Sequence, residues 1–228
     1  MTRTRATVFL TACLLSSRLL ATTDAESILR EARLTPTLRP AVLEATIRDE
    51  DARTPIRIGL KDGVISYLFQ GQDRELLLRL GGESTILSER IGGRTMPVTG
   101  AKLHDPVGGT GLSYQDLSLG FLYWPRPELQ GEEAVRTRPC WKIDLQAPAG
   151  ETIYGVARVW IDKQSGALLR IEGYDKQGRL LRRFEIVSAQ KTNGVWMLKQ
   201  MRIEGFEPGK DRAVSRHYLE VTGQATSQ

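Results

Sequence analysis

The sequence predicts a mainly β (α+β) fold: a strongly curved antiparallel sheet forming an incomplete barrel, with a few short helices covering its concave apolar face. Residues 151–206 read as successive runs of alternating apolar and polar side chains, the period-two signature of half-buried strands. These runs are separated by DKQSG at 162–166, DKQG at 175–178 and NG at 193–194, which is hairpin punctuation containing residues that tolerate positive φ. A second series of the same kind occupies 42–91. Connections this short join antiparallel neighbours, and about eleven strands in one chain fit most simply into a single sheet that curves on itself.

Taken in order, residues 1–21 read as an export signal. Arg3 and Arg5 form a basic start, and residues 6–17 an apolar stretch that Arg18 ends too early for a membrane-spanning helix. Residues 22–228 are then expected to be one domain. TDAE at 23–26 has the form of a capping box, with Ile28, Leu29 and Ala32 at helical spacing behind it, so cleavage after Ala21 preserves a helix start that cleavage after Ala25 would discard. The segment LTAC at 10–13 resembles a bacterial lipobox, in which Cys13 would be lipidated and anchor the protein to a membrane.

The first meander is expected as strands near 42–48, 54–60, 64–70, 74–80 and 84–90, with DED, KDG, GQD and GG as separators. None of its glycine pairs is followed by a helix that could hold a phosphate. Residues 92–131 break the pattern. GGTG at 108–111 is a loop, and SYQD at 113–116 starts a second capped helix with Tyr114, Leu117 and Phe121 on one face; Leu117 and Phe121 are its expected lid contacts over the sheet. The second meander resumes at Trp141 and runs to Val221, and residues 222–228 form a polar tail expected to fray. Its inward face is expected to comprise Ile143, Leu145, Val159, Ile161, Leu169, Ile171, Phe184, Ile186, Met201, Ile203 and Leu219. The outward positions, Arg158, Arg170, Glu172, Arg183, Glu185, Gln200, Arg202 and Glu204, should face water.

The inventory of catalytic parts is poor. The formal charge of +5 is spread along strands in alternating sign, without the basic stripe and interleaved aromatics of a nucleic-acid binder. Two histidines and two cysteines supply no zinc or haem set, and HExxH, GxSxG, CxxC and P-loop spacings do not occur. Asp162 and Asp175 read as turn formers rather than calcium ligands, and Glu132 and Glu133 are adjacent, so on a strand they point to opposite faces. If Cys13 leaves with the signal, Cys140 is the one remaining thiol, no internal disulfide forms, and a small buried hydrophobe is its expected role. No cofactor and no enzymatic activity are expected. An apolar inward face either packs solid or encloses an apolar ligand, to which each buried methylene contributes about 0.8 kcal/mol.

Residues 111–204, read as GLSYQDLSLGFLYWPRPELQGEE, CWKIDLQAP, VARVWIDKQSGALLRIEGYDKQGRLLRRFEI and GVWMLKQMRIEG, resemble the bacterial outer-membrane lipoprotein-sorting protein family, related to the carrier LolA. The marks are the helix start SYQDL, the strand end VWID, the turn YDKQG and the run WMLKQM. The resemblance implies a curved sheet with helices plugging a hydrophobic cavity, a non-enzymatic periplasmic role in shielding the acyl chains of lipoproteins or other acylated lipids, and exchange with an inner-membrane transporter and an outer-membrane acceptor. The arginine that tethers the lid in such carriers has no assigned position here, and the last strand lacks the threonine expected near its start. Two other roles fit the same pattern: an envelope interaction module with a filled cavity, and a membrane-anchored acceptor if Cys13 is lipidated.

Overall fold

The computed structural model describes residues 24–34, 40–150, 152–192, 195–208, 210 and 212–225; the export-signal segment, Cys13, Thr23 and the NG turn at 193–194 lie outside them. Helix α1 (Ala25–Leu34) is followed by β1 (Ala41–Arg48), β2 (Arg53–Lys61), β3 (Val64–Phe69), β4 (Arg74–Leu80), β5 (Thr85–Ile91) and β6 (Arg94–Pro97). An irregular stretch then carries the 3-10 turn Gly100–His104, helix α2 (Tyr114–Ser118) and the 3-10 turn Gly120–Tyr123. The second meander is β7 (Glu128–Val135), β8 (Arg138–Gln146), β9 (Val156–Asp162), β10 (Leu168–Tyr174), β11 (Leu180–Thr192), β12 (Val195–Gly205) and β13 (Ser215–Ala225).

All thirteen strands belong to one sheet in the order β6-β5-β4-β3-β2-β1-β13-β12-β11-β10-β9-β8-β7, and every pairing is antiparallel. The two edges do not meet, so the barrel is open. The first meander walks from the middle of the sheet to one edge, and the second enters at the opposite edge and walks back until β13 lies against β1. Residues 98–127 therefore form a strap from one rim to the other.

The two strands beyond the expected eleven are β6 and β7, the two edges. Every residue of β6 is exposed, and β7 is exposed at all but Gly131 and Val135, so neither shows the alternation that betrays a half-buried strand. A third difference lies at the C-terminus. Residues 222–225 are not frayed but extend β13 along β1, across a bulge at Glu44 and Ala45, and the Thr222 hydroxyl donates to the Glu44 carbonyl at 3.1 Å.

Two apolar clusters sit on one face of this sheet. The larger joins β1 to β5 with Val98, Val107, Leu112 and Tyr114 of the strap and Ile203 and Val221 of the second meander. The smaller joins Ile143, Leu145, Ala157, Val159 and Ile161 to Ile28, Leu29 and Ala32 of α1 and to Phe121 and Leu122 of the strap. The predicted apolar stripe of α1 is thus the surface that covers β8 and β9.

The opposite face departs from the simple expectation of solvated charges. Register places Asp144, Arg158, Glu172, Arg183, Glu204 and Arg216 in one row across six adjacent strands, with the sign alternating at every step. Arg158 pairs with Asp144 at 2.6 Å, Arg183 with Glu172 at 2.7 Å, and Arg216 with Glu204 at 2.9 Å. Glu172, Glu185 and Glu204 are buried although they are on the outside of the sheet. Arg170 on Glu185 at 2.7 Å begins a second such row.

Candidate apolar-ligand site

The floor of the site is a register row. Ile143 lies opposite Val159, Val159 opposite Ile171, Ile171 opposite Phe184, Phe184 opposite Ile203, and Ile203 opposite His217. A second row sets Ile186 against Met201 and Met201 against Leu219. Strand alternation thus gathers ten of the eleven expected inward residues on one face.

Their burial divides them. Ile143, Leu145, Val159, Ile161 and Ile203 are fully buried within the clusters. Ile171, Phe184, Ile186, Met201 and Leu219, on the strands between the clusters, are half-buried. The middle of the apolar face is therefore its least covered part.

The eleventh residue, Leu169, is a correction. The register of β10 against β9 shifts between Leu168 and Arg170, so one extra residue in β10 moves Leu169 to the other face, where it packs against Val135, Cys140 and Trp160. Leu168 takes the inward place against the smaller cluster. The lid also differs from a single helix. α2 ends at Ser118, and Leu119 adopts a left-handed conformation (φ 49°) before the 3-10 turn begins. In consequence Leu117 packs on the larger cluster and Phe121 on the smaller, and they do not share one helical face. The capping box at the start of α2 is present, with the Ser113 hydroxyl accepting from the Asp116 amide and Asp116 accepting from the Ser113 amide.

Three buried polar contacts and one close ring packing pin the strap to the sheet. Glu89 of β5 accepts from the Tyr114 hydroxyl and from Lys102, with Arg74 at 3.3 Å. Burial alone would raise the Glu89 carboxyl, but the hydrogen bonds from Lys102 and Tyr114 override it and hold it below 4.5. Burial, followed by the bond to Glu89, pushes the Tyr114 hydroxyl up to about 12. Nearer the other rim, Asp116 accepts from the Tyr154 hydroxyl at 2.7 Å and pairs with Arg182 of β11 at 3.3 Å. The Arg33 guanidinium at the end of α1 donates to the Leu122 carbonyl at 2.9 and 2.6 Å and lies 4.5 Å over the Tyr123 ring. Finally, the buried ring of His217 lies under Gly111, where a Cβ would stand 2.6 Å from its Cε1. Burial lowers the His217 imidazole from 6.5, opposed by Asp49 at 3.5 Å.

Arg182, Tyr154, Glu89 and Arg33 were not legible as site residues. One signal existed for Arg182: it occupies an inward position beside Phe184, and its neighbours in the row, Gly173 and Gly205, have no side chain. Those absences make room, since a Cβ on Gly173 would lie 2.4 Å from the Tyr154 ring and one on Gly205 would lie 3.4 Å from Arg182 Nη1.

Between the strap and residues 148–150 and 152 lies a cleft of 180 Å³ lined by Leu103, Gln115, Ser118, Phe121, Trp124 and Thr152 among others. Drug-sized ligand pockets span about 300–1,000 Å³, so this cleft is too small to hold such a ligand as it stands. Asp162 and Asp175 are turn formers, the first accepting from the Ser165 amide at 2.9 Å and the second from the Gln177 amide at 2.9 Å. Among the described residues no cluster of histidine, cysteine and acidic side chains is arranged to hold a metal ion. The Cys140 thiol is fully buried, and burial raises its pKa, as befits a packing residue.

The chain is thus an open antiparallel half-barrel whose apolar face is roofed by an N-terminal helix and a strap of short helices. A family model described as an "uncharacterized protein"-like family matches residues 92–220, more than half of the chain, and the chain belongs to that family. Its fold is shared with a DUF1329 family protein of Desulfovibrio piger (TM-score 0.69, 18% identity, 88% of this chain and 90% of that one). An outer membrane lipoprotein-sorting protein domain of Vibrio parahaemolyticus aligns with TM-score 0.69, 16% identity and 89% and 93% coverage, and a LolA superfamily protein of Nitrosomonas europaea with 0.61, 13%, 90% and 94%. No curated protein matches the sequence.

Proposed function

We propose that this chain is a non-enzymatic, exported carrier or chaperone that shields acyl chains of lipoproteins or other lipids in the periplasm. The observation that supports it is the half-buried strip Ile171, Phe184, Ile186, Met201 and Leu219, set between two filled clusters and beneath a strap held by a few polar contacts. A strap that shifts off this strip exposes its apolar floor, at the cost of the contacts that Phe121 and Leu122 make with β8 and β9. Burying a chain of about ten methylenes there contributes on the order of 8 kcal/mol before the cost of ordering the chain. Cargo is received from an inner-membrane transporter and passed to an outer-membrane acceptor in this scheme, as the likeness to lipoprotein-sorting domains suggests.

Native mass spectrometry and lipid extraction on protein purified from the cell envelope without detergent test the proposal. Bound acyl lipid or acylated protein is expected, and its loss is expected in a folded Phe184→Asp variant. A homogeneous unliganded mass, with no uptake of a fluorescent acyl probe, favours the second reading, an envelope interaction module, which the full burial of the two apolar clusters supports. Acyl labelling at Cys13 would shift the proposal to a membrane-anchored acceptor.

A further inference from the structure

We propose that the β11–β12 hairpin docks this protein onto the surface of an anionic lipid bilayer through Trp196, Lys191 and Lys199. β10 accompanies β11 only as far as Glu185, and β13 accompanies β12 only from Gln200 onward. Beyond those points, from Ala189 opposite Leu198 to Thr192 opposite Val195, the two strands pair only with each other, as a ribbon that runs past the sheet. Met197 and Leu198 turn part of the ribbon back onto the larger cluster, which fixes its base.

Trp196 is 65% exposed, more than any other large hydrophobic among the described residues. Lys191 lies directly opposite it in the ladder, so the two share a face. Lys191 and Lys199 are exposed, and residues 186–201 contain no aspartate or glutamate. Neither lysine has a carboxylate partner among the described residues, whereas the arginines of the sheet's charged rows are paired. An unneutralised basic ribbon with one projecting indole matches a headgroup layer: indole partitions to the membrane interface, and each lysine near an anionic surface strengthens binding about fivefold. One aromatic flanked by lysines offers too little area for a protein interface, which needs about 800 Å² per partner.

The test is flotation of the purified protein with vesicles of phosphatidylcholine, with and without phosphatidylglycerol. Binding to the anionic vesicles is expected, weakened by salt. Lys191→Ala with Lys199→Ala should reduce it by about 25-fold, and Trp196→Ser by about tenfold. All three positions are exposed, so circular dichroism should show an unchanged fold. Absence of binding to either vesicle, or equal binding by wild type and variants, would overturn the proposal; so would variants that lose association with an envelope protein while vesicle binding stays the same. Docking does not depend on cargo: Phe184→Asp should float with the vesicles like wild type, so failure here and failure of the carrier reading are separable.

Discussion

At the residue scale, the strap is held by side chains that occupy space others have vacated. Tyr154 lies where Gly173 has no Cβ, so Gly173→Ala forces a 2.4 Å approach to a buried ring. It should destabilise the protein by about 1–3 kcal/mol, read as a lower urea midpoint with an altered near-ultraviolet signal from the tyrosine. Asp116 is wholly buried and serves Tyr154, Arg182 and the cap of α2 together. Asp116→Ala should cost about 3–5 kcal/mol, because Arg182 is then left without its charge partner in a largely buried site. Ser113→Ala, which removes only the cap, should cost about 1 kcal/mol in the same denaturation experiment. These roles were invisible in the sequence because they are set by what is missing, glycines at inward positions, whereas the apolar alternation around them was plain. Leu169 fails for a related reason: a one-residue bulge leaves no mark in a run as uniformly apolar as Ala167, Leu168 and Leu169, yet it reverses the face.

At the element scale, strands with one buried face were readable and the two without were not. β1 to β5 fall within a residue or so of their expected limits because each alternates over the larger cluster. β6 and β7 are held chiefly by backbone hydrogen bonds to one neighbour, and their side chains carry no record of that. Stability should follow the same division. In native-state hydrogen exchange, amides of β9 around Val159 and Ile161, paired on both sides and covered by α1, should exchange near the global unfolding rate, while those of β6 should open locally and far faster. Equal protection of β6 and β9 would contradict this account. The charged rows are also an element-scale device, since alternation of sign from strand to strand is a statement about register that no single strand reveals.

At the scale of the whole molecule, several carboxylates are set below their ordinary values. Glu220 is lowered first by its bond from Arg48; Asp162 and Glu89 are lowered despite burial, which taken alone would raise them. A carboxyl whose folded value is depressed binds its proton later than in the unfolded chain, so the stability it contributes is complete above 4.5 and is lost as the pH falls through the lowered values. The urea midpoint should therefore begin to decline as the pH falls below 6.5, where the unfolded chain protonates His217 before the folded one does, and fall more steeply below 4.5; a midpoint that rises on acidification would refute the assignment. Topology adds a consequence of another kind. Between its strands the polypeptide crosses from one half of the sheet to the other along the strap, and the halves also meet where β1 lies beside β13, where α1 covers β8 and β9, and where Ile203 and Val221 enter the larger cluster. A single proteolytic nick in the loop at 108–111 would turn the protein into a two-chain complex, and its refolding would become second order, with a rate set by how often two fragments collide.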